Sequence, residues 1–357
     1  MAVIRKSIDV NNLKKNSQPA RTRVRHEKRE VAPARKLGFA YPAKSDLTAA
    51  LTSVFQTNGS RQNRLHVVER EPAEYSTTFP CEIVTCRLSE DNNIRMFCKY
   101  NGGVDYTGHG HRGRVEYEIS VYRDILSRLP LHQPKFYGGW VEPRTRQHWL
   151  FLEYLPECLR IGKLDDAEVM KQAARWIAQF HSLNEPRAGS KRHRFLKKYD
   201  EEYYLGWVRR TSEFAGSLHR RYPWLHALCE QSERLLAPLV EMPPTVIHGE
   251  YYSPNVLFHR GSVCPVDWES AAIANGLIDL ASLTEGWSEE IISGCRREYT
   301  HTRWPGGAPA GFEEALNAAR LYMNFRWLGD DRHTTHSKGA RGHFDRLAAV
   351  GQEMGVI

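Results

Sequence analysis

The sequence has no apolar run long enough to cross a membrane. Nowhere in its 357 residues does such a run reach about 18 residues, the length of a short spanning helix. The N-terminal residues also lack the apolar core of a secretory signal peptide. These absences exclude a helical membrane protein and argue against secretion. We therefore expect a soluble, cytoplasmic protein that has no membrane partner.

Paired cysteines are absent as well. The seven cysteines are odd in number and scattered, and none shows the close paired spacing of zinc ligands. This pattern excludes the disulfide framework of a small secreted domain. It is typical of reduced thiols in the cytoplasm.

The body of the chain has no net charge, although the whole chain carries +8. Residues 1–36 contain eleven Lys and Arg residues against three acidic ones, which accounts for the entire excess. This basic tail has few large apolar residues, so we expect it to be disordered. It could contact nucleic acid or anionic lipid, but a solvated extension is the simpler interpretation. Apart from the tail, we expect no nucleic-acid partner.

Residues 37–155 are rich in strand signals. Runs of β-branched and aromatic residues, bounded by turn residues, predict strands at 81–87, 94–100 and 147–154. One helix interrupts them at about 113–128, where apolar residues recur at helical spacing. We therefore expect a small antiparallel β lobe with one helix.

Residues 156–357 show mostly helical periodicity. A capping-box-like start predicts a helix over 165–183, residues 195–240 look mostly helical, and 312–329 predict a late buried helix. A short β-and-loop island lies between them at 245–267. The expected fold class is α+β, with a basic tail (1–36), a β-rich lobe (37–155) and a helical lobe that contains a β-hairpin (156–357).

The island has a spacing that suits phosphoryl transfer. Glu250 lies five positions before Asn255, and Asp267 follows 12 positions later, after a strand, a turn and a second strand. Kinase catalytic loops place an acid five residues before a metal-binding Asn and a second acid at the end of the next strand. A hairpin of this length brings an amide oxygen beside a carboxylate, and Mg²⁺ prefers both ligands. Glu250, Asn255 and Asp267 are therefore candidate catalytic residues, the last two as metal ligands.

This segment resembles the Brenner-type motif of the aminoglycoside phosphotransferase and choline kinase superfamily. His248-Gly249 matches the small-molecule branch rather than protein kinases, and the stretches 173–181 and 276–281 resemble two further parts of the family pattern. The resemblance covers roughly residues 65–330 in motif order. It implies a protein-kinase-like two-lobed fold, ATP or GTP as phosphoryl donor, Mg²⁺ as cofactor and a small-molecule hydroxyl as acceptor. Asp279, in this resemblance, supports the catalytic loop.

Lys99 and Glu118 agree with this resemblance. Lys99 lies in an alternating strand, from which it can project into a cleft and neutralise α- and β-phosphate oxygens. Glu118 follows in the predicted helix with Tyr122 four positions later, in the family's manner, and would orient that lysine. Glu116 is the alternative partner because the loop before the helix leaves the register open.

Two other segments are candidates for nucleotide contact. Glu153, Tyr154 and Leu155 resemble the family's inter-lobe hinge, whose backbone meets the adenine edge. A segment without glycine, residues 71–80, occupies the place of the glycine-rich loop. The hydroxyl and N–H groups of its Ser76, Thr77 and Thr78 could contact phosphates, and an ordinary Ser/Thr turn is the alternative.

Glu250 departs from the family pattern, which has aspartate at this position. Its side chain is one methylene longer, and a displacement of about 1 Å can cost on the order of a hundredfold in rate. A nucleotide-binding pseudokinase with little turnover is therefore the alternative to an enzyme. Activity is favoured because both metal ligands and the lysine remain.

The segment Gly108-His-Gly-His-Arg-Gly113 spells a dinucleotide-binding motif. The alternation of strands and helices that such a motif requires is missing, so we reject this function. We expect a flexible loop above the cleft whose His109, His111 and Arg112 approach the nucleotide phosphates.

The acceptor cannot be identified from these motifs. Asp200, Tyr204 and Trp207 could line a pocket for a cationic substrate, although a solvated helix face explains the same residues. Arginines of the same region would instead favour an acidic acceptor. Glu269 and His248 are further candidates for contact with the substrate or for support of the site.

Overall fold

The computed structural model describes residues 41–57, 65–73, 79–89, 92–102 and 108–357. The basic tail (1–36) and the loop residues Ser76, Thr77 and Thr78 lie outside the described residues, so the expectations for them stay predictions. Within the described ranges, no helix is long and apolar enough to cross a membrane.

The small lobe consists of two helices and a five-stranded sheet. In chain order its elements are α1 (Lys44–Thr57), β1 (His66–Pro72), β2 (Cys81–Ser89), β3 (Asn92–Tyr100), α2 (Val115–Asp124), β4 (Phe136–Val141) and β5 (His148–Glu153). The strands lie in the order β1-β2-β3-β5-β4, and all neighbours are antiparallel. The expected antiparallel β lobe is confirmed.

Helix α1 was not predicted, so the lobe contains two helices rather than one. Leu47, Leu51 and Val54 form its buried stripe. They pack against the sheet, where a Cβ on Gly138 of β4 would lie 2.6 Å from Val54 Cγ1. A helix of 14 residues is marginal by itself, because tertiary packing supplies most of a helix's stability. The apolar stripe of α1 is therefore a weak signal in the sequence.

The large lobe is mostly helical. Its elements are β6 (Leu159–Arg160), α3 (Ala167–Asn184), β7 (Lys197–Lys198), α4 (Glu201–Ala215), α5 (Trp224–Glu230), α6 (Ser232–Leu236), α7 (Pro238–Glu241), β8 (Thr245–Ile247), β9 (Val256–His259), β10 (Ser262–Pro265), β11 (Ala272–Ala274), α8 (Leu277–Thr284), α9 (Glu289–Arg303), α10 (Phe312–Gly329), α11 (Arg332–Thr335) and α12 (Ala340–Glu353). The predicted hairpin is β9–β10, which turns at Arg260 and Gly261, both at positive φ. The α+β, two-lobed fold class is confirmed.

Strand β3 separates the buried cluster of the small lobe from a second cluster that continues into the large lobe. Met96, Cys98 and Tyr100 point toward α1 and are fully buried. The alternate residues Phe97 and Lys99 point to the opposite face, where α2 and the large lobe lie. The pleat of the strand therefore directs Lys99 into the cleft between the lobes.

Candidate active site

Lys99 lies between three carboxylates. Its Nζ donates to Glu118 Oε2 at 2.7 Å, to Asp267 Oδ1 at 2.8 Å and to Glu269 Oε2 at 2.9 Å. Burial alone would lower the pKa of Lys99, but the charges of Asp267, Glu118 and Glu269 outweigh it and raise that pKa well above its usual value. The lysine is therefore a permanent cation that joins the small lobe to the large one.

Glu118, rather than Glu116, is the partner of the lysine. Glu118 is 2% exposed, and its second oxygen, Oε1, accepts the N–H of Trp268 at 3.1 Å. Burial raises the pKa of Glu118, and the charge of Lys99 opposes that rise. Glu116 Oε2 is buried without a hydrogen-bond partner among the described residues. Helix α2 thus presents Glu118 to the cleft, as the spacing from Tyr122 suggests.

Asp267 is the carboxylate of this group that faces the open cleft. Its side chain is 38% exposed, against 2% for Glu118 and 3% for Glu269. Oxygens of these three residues lie within 4.8 Å of one another. The backbone at Asp267 has φ +69°, in the left-handed region that aspartate adopts more readily than most residues.

Asn255 lies beside Asp267 at the base of the hairpin. The N–H of Val266 donates to the backbone oxygen of Asn255 at 2.9 Å. The Asn255 side chain donates its Nδ2 to Glu250 O at 3.2 Å, so its Oδ1 is the atom left to bind a cation. An amide oxygen beside a half-exposed carboxylate is a donor set that fits Mg²⁺.

Asp279 holds the catalytic loop from beneath. Its carboxylate accepts the N–H of His248 at 2.7 Å and that of Gly249 at 2.9 Å, and His181 Nε2 lies 3.1 Å away. His248 is fully buried, with Nε2 3.0 Å from Val266 O, a contact that supports the loop. Gly249 has φ +82°, and a Cβ there would lie 2.3 Å from Ser270 O. Only glycine fits at that position.

Glu250 is buried and its Oε1 faces three nitrogen groups. Arg326 Nη1 lies 3.2 Å away, Arg112 Nη2 3.4 Å and His111 Nε2 3.5 Å. Burial alone would raise the pKa of Glu250, but Arg112, His111 and Arg326 together hold it well below its usual range. The residue that replaces the family's aspartate is therefore an anion with one oxygen already engaged.

The glycine-containing loop 108–113 packs on the large lobe. His109 stacks on Tyr203 with ring centroids 5.6 Å apart and meets Trp207 edge-on at 5.2 Å. Gly206 makes room for this ring, since a Cβ there would lie 2.2 Å from His109 Nε2. Lys197 Nζ fixes the loop by donating to His111 O at 2.7 Å. His109 and His111 are thus held by packing on the large lobe, and the expectation that the loop approaches the nucleotide phosphates stays a prediction.

Asp200 and Tyr204 have structural positions. Asp200 caps α4 by accepting the N–H of Tyr203 at 2.9 Å. Tyr204 is 1% exposed and packs edge-on against Tyr322, with ring centroids 5.0 Å apart. Trp207 is fully buried as well. Tyr204 and Trp207 thus belong to the inward face of α4, which is part of the core, whereas Asp200 is exposed at the start of the helix.

The hinge leaves one backbone donor. The N–H of Glu153 donates to Lys135 O at 2.8 Å, and that of Tyr154 to Arg95 O at 3.3 Å. Leu155 is the hinge residue whose N–H is not engaged by another described residue. The three residues proposed to contact adenine therefore differ in whether their backbone N–H is available. Leu155 is the best placed to donate a hydrogen bond.

Arg326 and Arg112 are site residues that sequence reasoning missed or placed elsewhere. Arg326 interrupts the apolar run Phe325-Arg-Trp-Leu328 of a helix that the sequence itself predicts to be buried. A charge on such a face needs a buried partner. The charged residue in an apolar run could therefore have marked Arg326 as a site residue. The sequence does not indicate its partner, because Glu250 is 76 positions away.

In kinase-fold phosphotransferases, a glutamate from a helix holds a lysine in the cleft between a β lobe and a helical lobe. The helical lobe supplies a carboxylate that follows a loop and a hairpin. This chain has the same arrangement. The model of the phosphotransferase enzyme family matches residues 108–315, more than half of the chain, and the protein belongs to that family. None of the curated proteins compared with the chain matches it.

Solved structures of this fold resemble the chain at low sequence identity. A choline kinase from Cryptosporidium parvum Iowa II has a TM-score of 0.56 and 15% identity, over 82% of this chain and 92% of that one. A mutant of aminoglycoside 2'-phosphotransferase IIIa in its GDP complex has a TM-score of 0.57 and 12% identity, over 86% and 98%. A macrolide 2'-phosphotransferase from Brachybacterium faecium has a TM-score of 0.52 and 13% identity, over 84% and 97%. At these identities the likeness establishes the fold alone.

Proposed function

We propose that this protein transfers the γ-phosphoryl group of ATP or GTP to a hydroxyl group of a small molecule, with Mg²⁺. The observation that carries the proposal is the contact of Lys99 Nζ with both Glu118 and Asp267 across the cleft. Membership of the phosphotransferase family supports the reaction class. Neither family membership nor the fold identifies the donor or the acceptor.

The residues divide into binding and positioning roles. Lys99, kept charged by its carboxylates, would neutralise α- and β-phosphate oxygens, while Leu155 would donate to the adenine or guanine edge. Asp267 and Asn255 would hold Mg²⁺, which draws charge from the phosphate oxygens when it is bound. Phosphoryl transfer then depends on alignment and charge neutralisation more than on covalent chemistry by the protein.

Glu250 would orient the acceptor hydroxyl and accept its proton. The contacts with Arg112, His111 and Arg326 all fall on Oε1. Among the described residues, the ion pairs of Glu250 all fall on Oε1, so Oε2 is the oxygen available for a hydroxyl group. Because its pKa is held low, Glu250 in this state is a better hydrogen-bond acceptor than base.

The test begins with nucleotide binding. Binding of ATP and GTP is measured by calorimetry with and without Mg²⁺ for the native chain and for Asp267→Asn. We expect the substitution to remove the part of the affinity that depends on Mg²⁺. Asp345→Asn is the control, since Asp345 is an exposed residue of α12 that faces Arg341. Unchanged Mg²⁺-dependent binding in Asp267→Asn would refute the metal assignment.

A nucleotide-binding pseudokinase is the second candidate, favoured by the three groups that engage Glu250 Oε1. Phosphoryl transfer is compared in the native chain, Glu250→Asp and Glu250→Ala over amino-sugars, amines and other alcohols. Turnover that Glu250→Ala abolishes indicates an enzyme. Tight nucleotide binding without turnover, restored by Glu250→Asp, indicates a pseudokinase.

A further inference from the structure

Two arginines from different elements converge on the candidate catalytic residue. Arg326 projects from α10 and Arg112 from the loop before α2, and both approach Oε1 of Glu250, at 3.2 Å and 3.4 Å. The side chain of Arg326 is 0% exposed and that of Arg112 is 14% exposed. The acceptor hydroxyl must also reach Glu250, so these guanidinium groups border the acceptor position.

The buried guanidinium group of Arg326 has N–H groups that lack a hydrogen-bond partner. Within the part of the chain that the structure describes, its Nε and Nη2 are buried without a hydrogen-bond partner. Its guanidinium lies over the Trp327 ring at 4.6 Å, a contact that satisfies neither donor. Leaving buried N–H groups unpaired costs free energy, and nearly all such groups in folded proteins find an acceptor. A ligand oxygen is an acceptor that would meet this need.

The donor geometry selects the chemistry of that ligand. A guanidinium presents parallel N–H groups in a fork that matches the two oxygens of a carboxylate or phosphate. A cationic group at the same position would face Arg112 and Arg326 at close range and be repelled. Asp330 also interacts electrostatically with both arginines, and Glu269 Oε1 lies 3.8 Å from Arg112 Nε. The surroundings are therefore of mixed charge, and the unpartnered donors are those of the Arg326 guanidinium.

We infer that Arg112 and Arg326 recognise an anionic group on the acceptor, which is then a hydroxylated carboxylic acid or a phosphorylated alcohol. The inference rests on the proposed phosphoryl transfer and names the substrate class of the same site. It separates this chain from relatives whose names indicate choline or aminoglycosides as substrates.

Such a ligand would leave Glu250 in place for the transfer step. The anion would use Nε and Nη2 of Arg326, while Nη1 keeps its contact with Glu250 Oε1. The acceptor hydroxyl gives its proton to Glu250, and its oxygen forms a bond to the γ-phosphorus. The bond from that phosphorus to the β–γ bridging oxygen breaks, which leaves the nucleoside diphosphate. Glu250 afterwards releases the proton to solvent.

The experiment uses two scaffolds with interchangeable end groups. One series is glycerol, 3-amino-1,2-propanediol, glycerate and glycerol 3-phosphate; the other is glucose, glucosamine, glucuronate and glucose 6-phosphate. For each compound we measure phosphoryl transfer from ATP and GTP, and the Tm of the full chain with Mg²⁺ and a non-hydrolysable nucleotide. We expect at least one anionic member to raise Tm and to exceed its neutral and amine counterparts in kcat/KM by about tenfold or more. The carboxylate and phosphate members distinguish the two forms of the anion.

Substitutions of the two arginines test whether they cause the preference for an anionic acceptor. Arg326→Gln should raise KM for the anionic acceptor about tenfold or more, and this rise should exceed the change in KM for the neutral counterpart. Arg326→Lys should restore part of the loss. Because Arg326 is buried, Arg112→Gln on the loop provides a second test that does not disturb α10. Arg320→Gln is the control, since Arg320 lies on the same helix but pairs with Glu353.

The outcomes separate the two proposals. If the chain binds no Mg²⁺–nucleotide, the proposed function fails. If nucleotide binds but amine or neutral members are preferred, or no anionic member raises Tm, only the anionic acceptor is refuted. An anion preference that survives both Arg326→Gln and Arg112→Gln refutes the assignment of these residues.

Discussion

Lys99 Nζ and Asp267 Oδ1 lie 2.8 Å apart, although 168 positions separate the two residues in the sequence. One belongs to a strand of the small lobe and the other follows the hairpin of the large lobe. Glu118 and Glu269 contact the same ammonium group, so a single cation joins the two lobes at the centre of the cleft.

Replacing this cation should leave buried carboxylates uncompensated. We expect Lys99→Met to lower the free energy of unfolding by about 3–5 kcal/mol, as when one partner of a buried ion pair is removed. The double variant Lys99→Met/Glu269→Gln should recover part of the loss, because it removes one of the unpaired acids. Urea unfolding at pH 7 measures both. Equal stability of native and Lys99→Met protein would contradict the coupling.

Gly249 and Gly261 form a matched pair, since both have φ +82°. A Cβ at Gly261 meets nothing within 4 Å, whereas one at Gly249 would lie 2.3 Å from Ser270 O. We expect Gly261→Ala to cost about 1–2 kcal/mol for its backbone conformation. Gly249→Ala should cost about 3 kcal/mol or more and should displace the loop from Asp279. Thermal unfolding compares the stability of the two variants. Similar losses of stability would show that Ser270 moves to accommodate the methyl group.

Mild acid should destabilise the large lobe through His181. Burial lowers the pKa of His181 to about 4, against the favourable interaction with Asp279. Between that value and the usual 6.5 or so, the unfolded chain binds a proton that the folded chain does not, so stability falls as pH falls. By pH 5 this loss is about 2 kcal/mol.

Urea unfolding at pH 7 and pH 5 checks the acid effect. His181→Gln should reduce the difference between the two pH values, and His226→Gln, at a side chain that is 76% exposed, should not. His111, whose pKa burial also lowers to about 4, contributes a second loss of the same sign. Burial raises the pKa of Glu269 to about 8, which acts in the opposite direction, so a pH difference that His181→Gln leaves unchanged is the result that would overturn the argument.

The packing of His109 against α4 can be tested by replacing Gly206 with alanine. Gly206→Ala improves helix propensity by about 1 kcal/mol, yet its methyl group would collide with His109 Nε2. We therefore expect Gly206→Ala to loosen the loop and to increase proteolysis between Gly108 and Gly113. In the double variant with His109→Ala, the helix gain should reappear as a higher Tm than in His109→Ala alone. A stabilising effect of Gly206→Ala by itself would show that the ring moves at no cost.

The elements that sequence could supply are those with local signals. Helix α10 begins and ends at the predicted residues, 312 and 329, because its apolar stripe is long. The hairpin followed from the spacing between Asn255 and Asp267, and strand β3 directs Lys99 into the cleft through the alternation of its residues. Each signal is contained in a stretch of fewer than about twenty residues.

What the sequence could not supply are the partners that tertiary structure brings together. The arginines at Glu250 come from positions 112 and 326, and no periodicity links them to 250. Tyr204 looked like a candidate for substrate contact, because an aromatic residue in a polar-looking helix can face either way. Packing against Tyr322 decides its direction, and packing depends on the whole large lobe.

The position of the Lys99 ammonium group has a consequence for the order in which ligands arrive. It contacts Asp267 Oδ1, so a free Mg²⁺ ion drawn to this carboxylate would compete with the lysine. Phosphate oxygens would offer the ammonium group another anion and so release the carboxylate. We therefore expect a titration with Mg²⁺ alone to give weak binding and a titration with nucleotide present to give tight binding. Metal and nucleotide would then enter together, each removing the obstacle to the other.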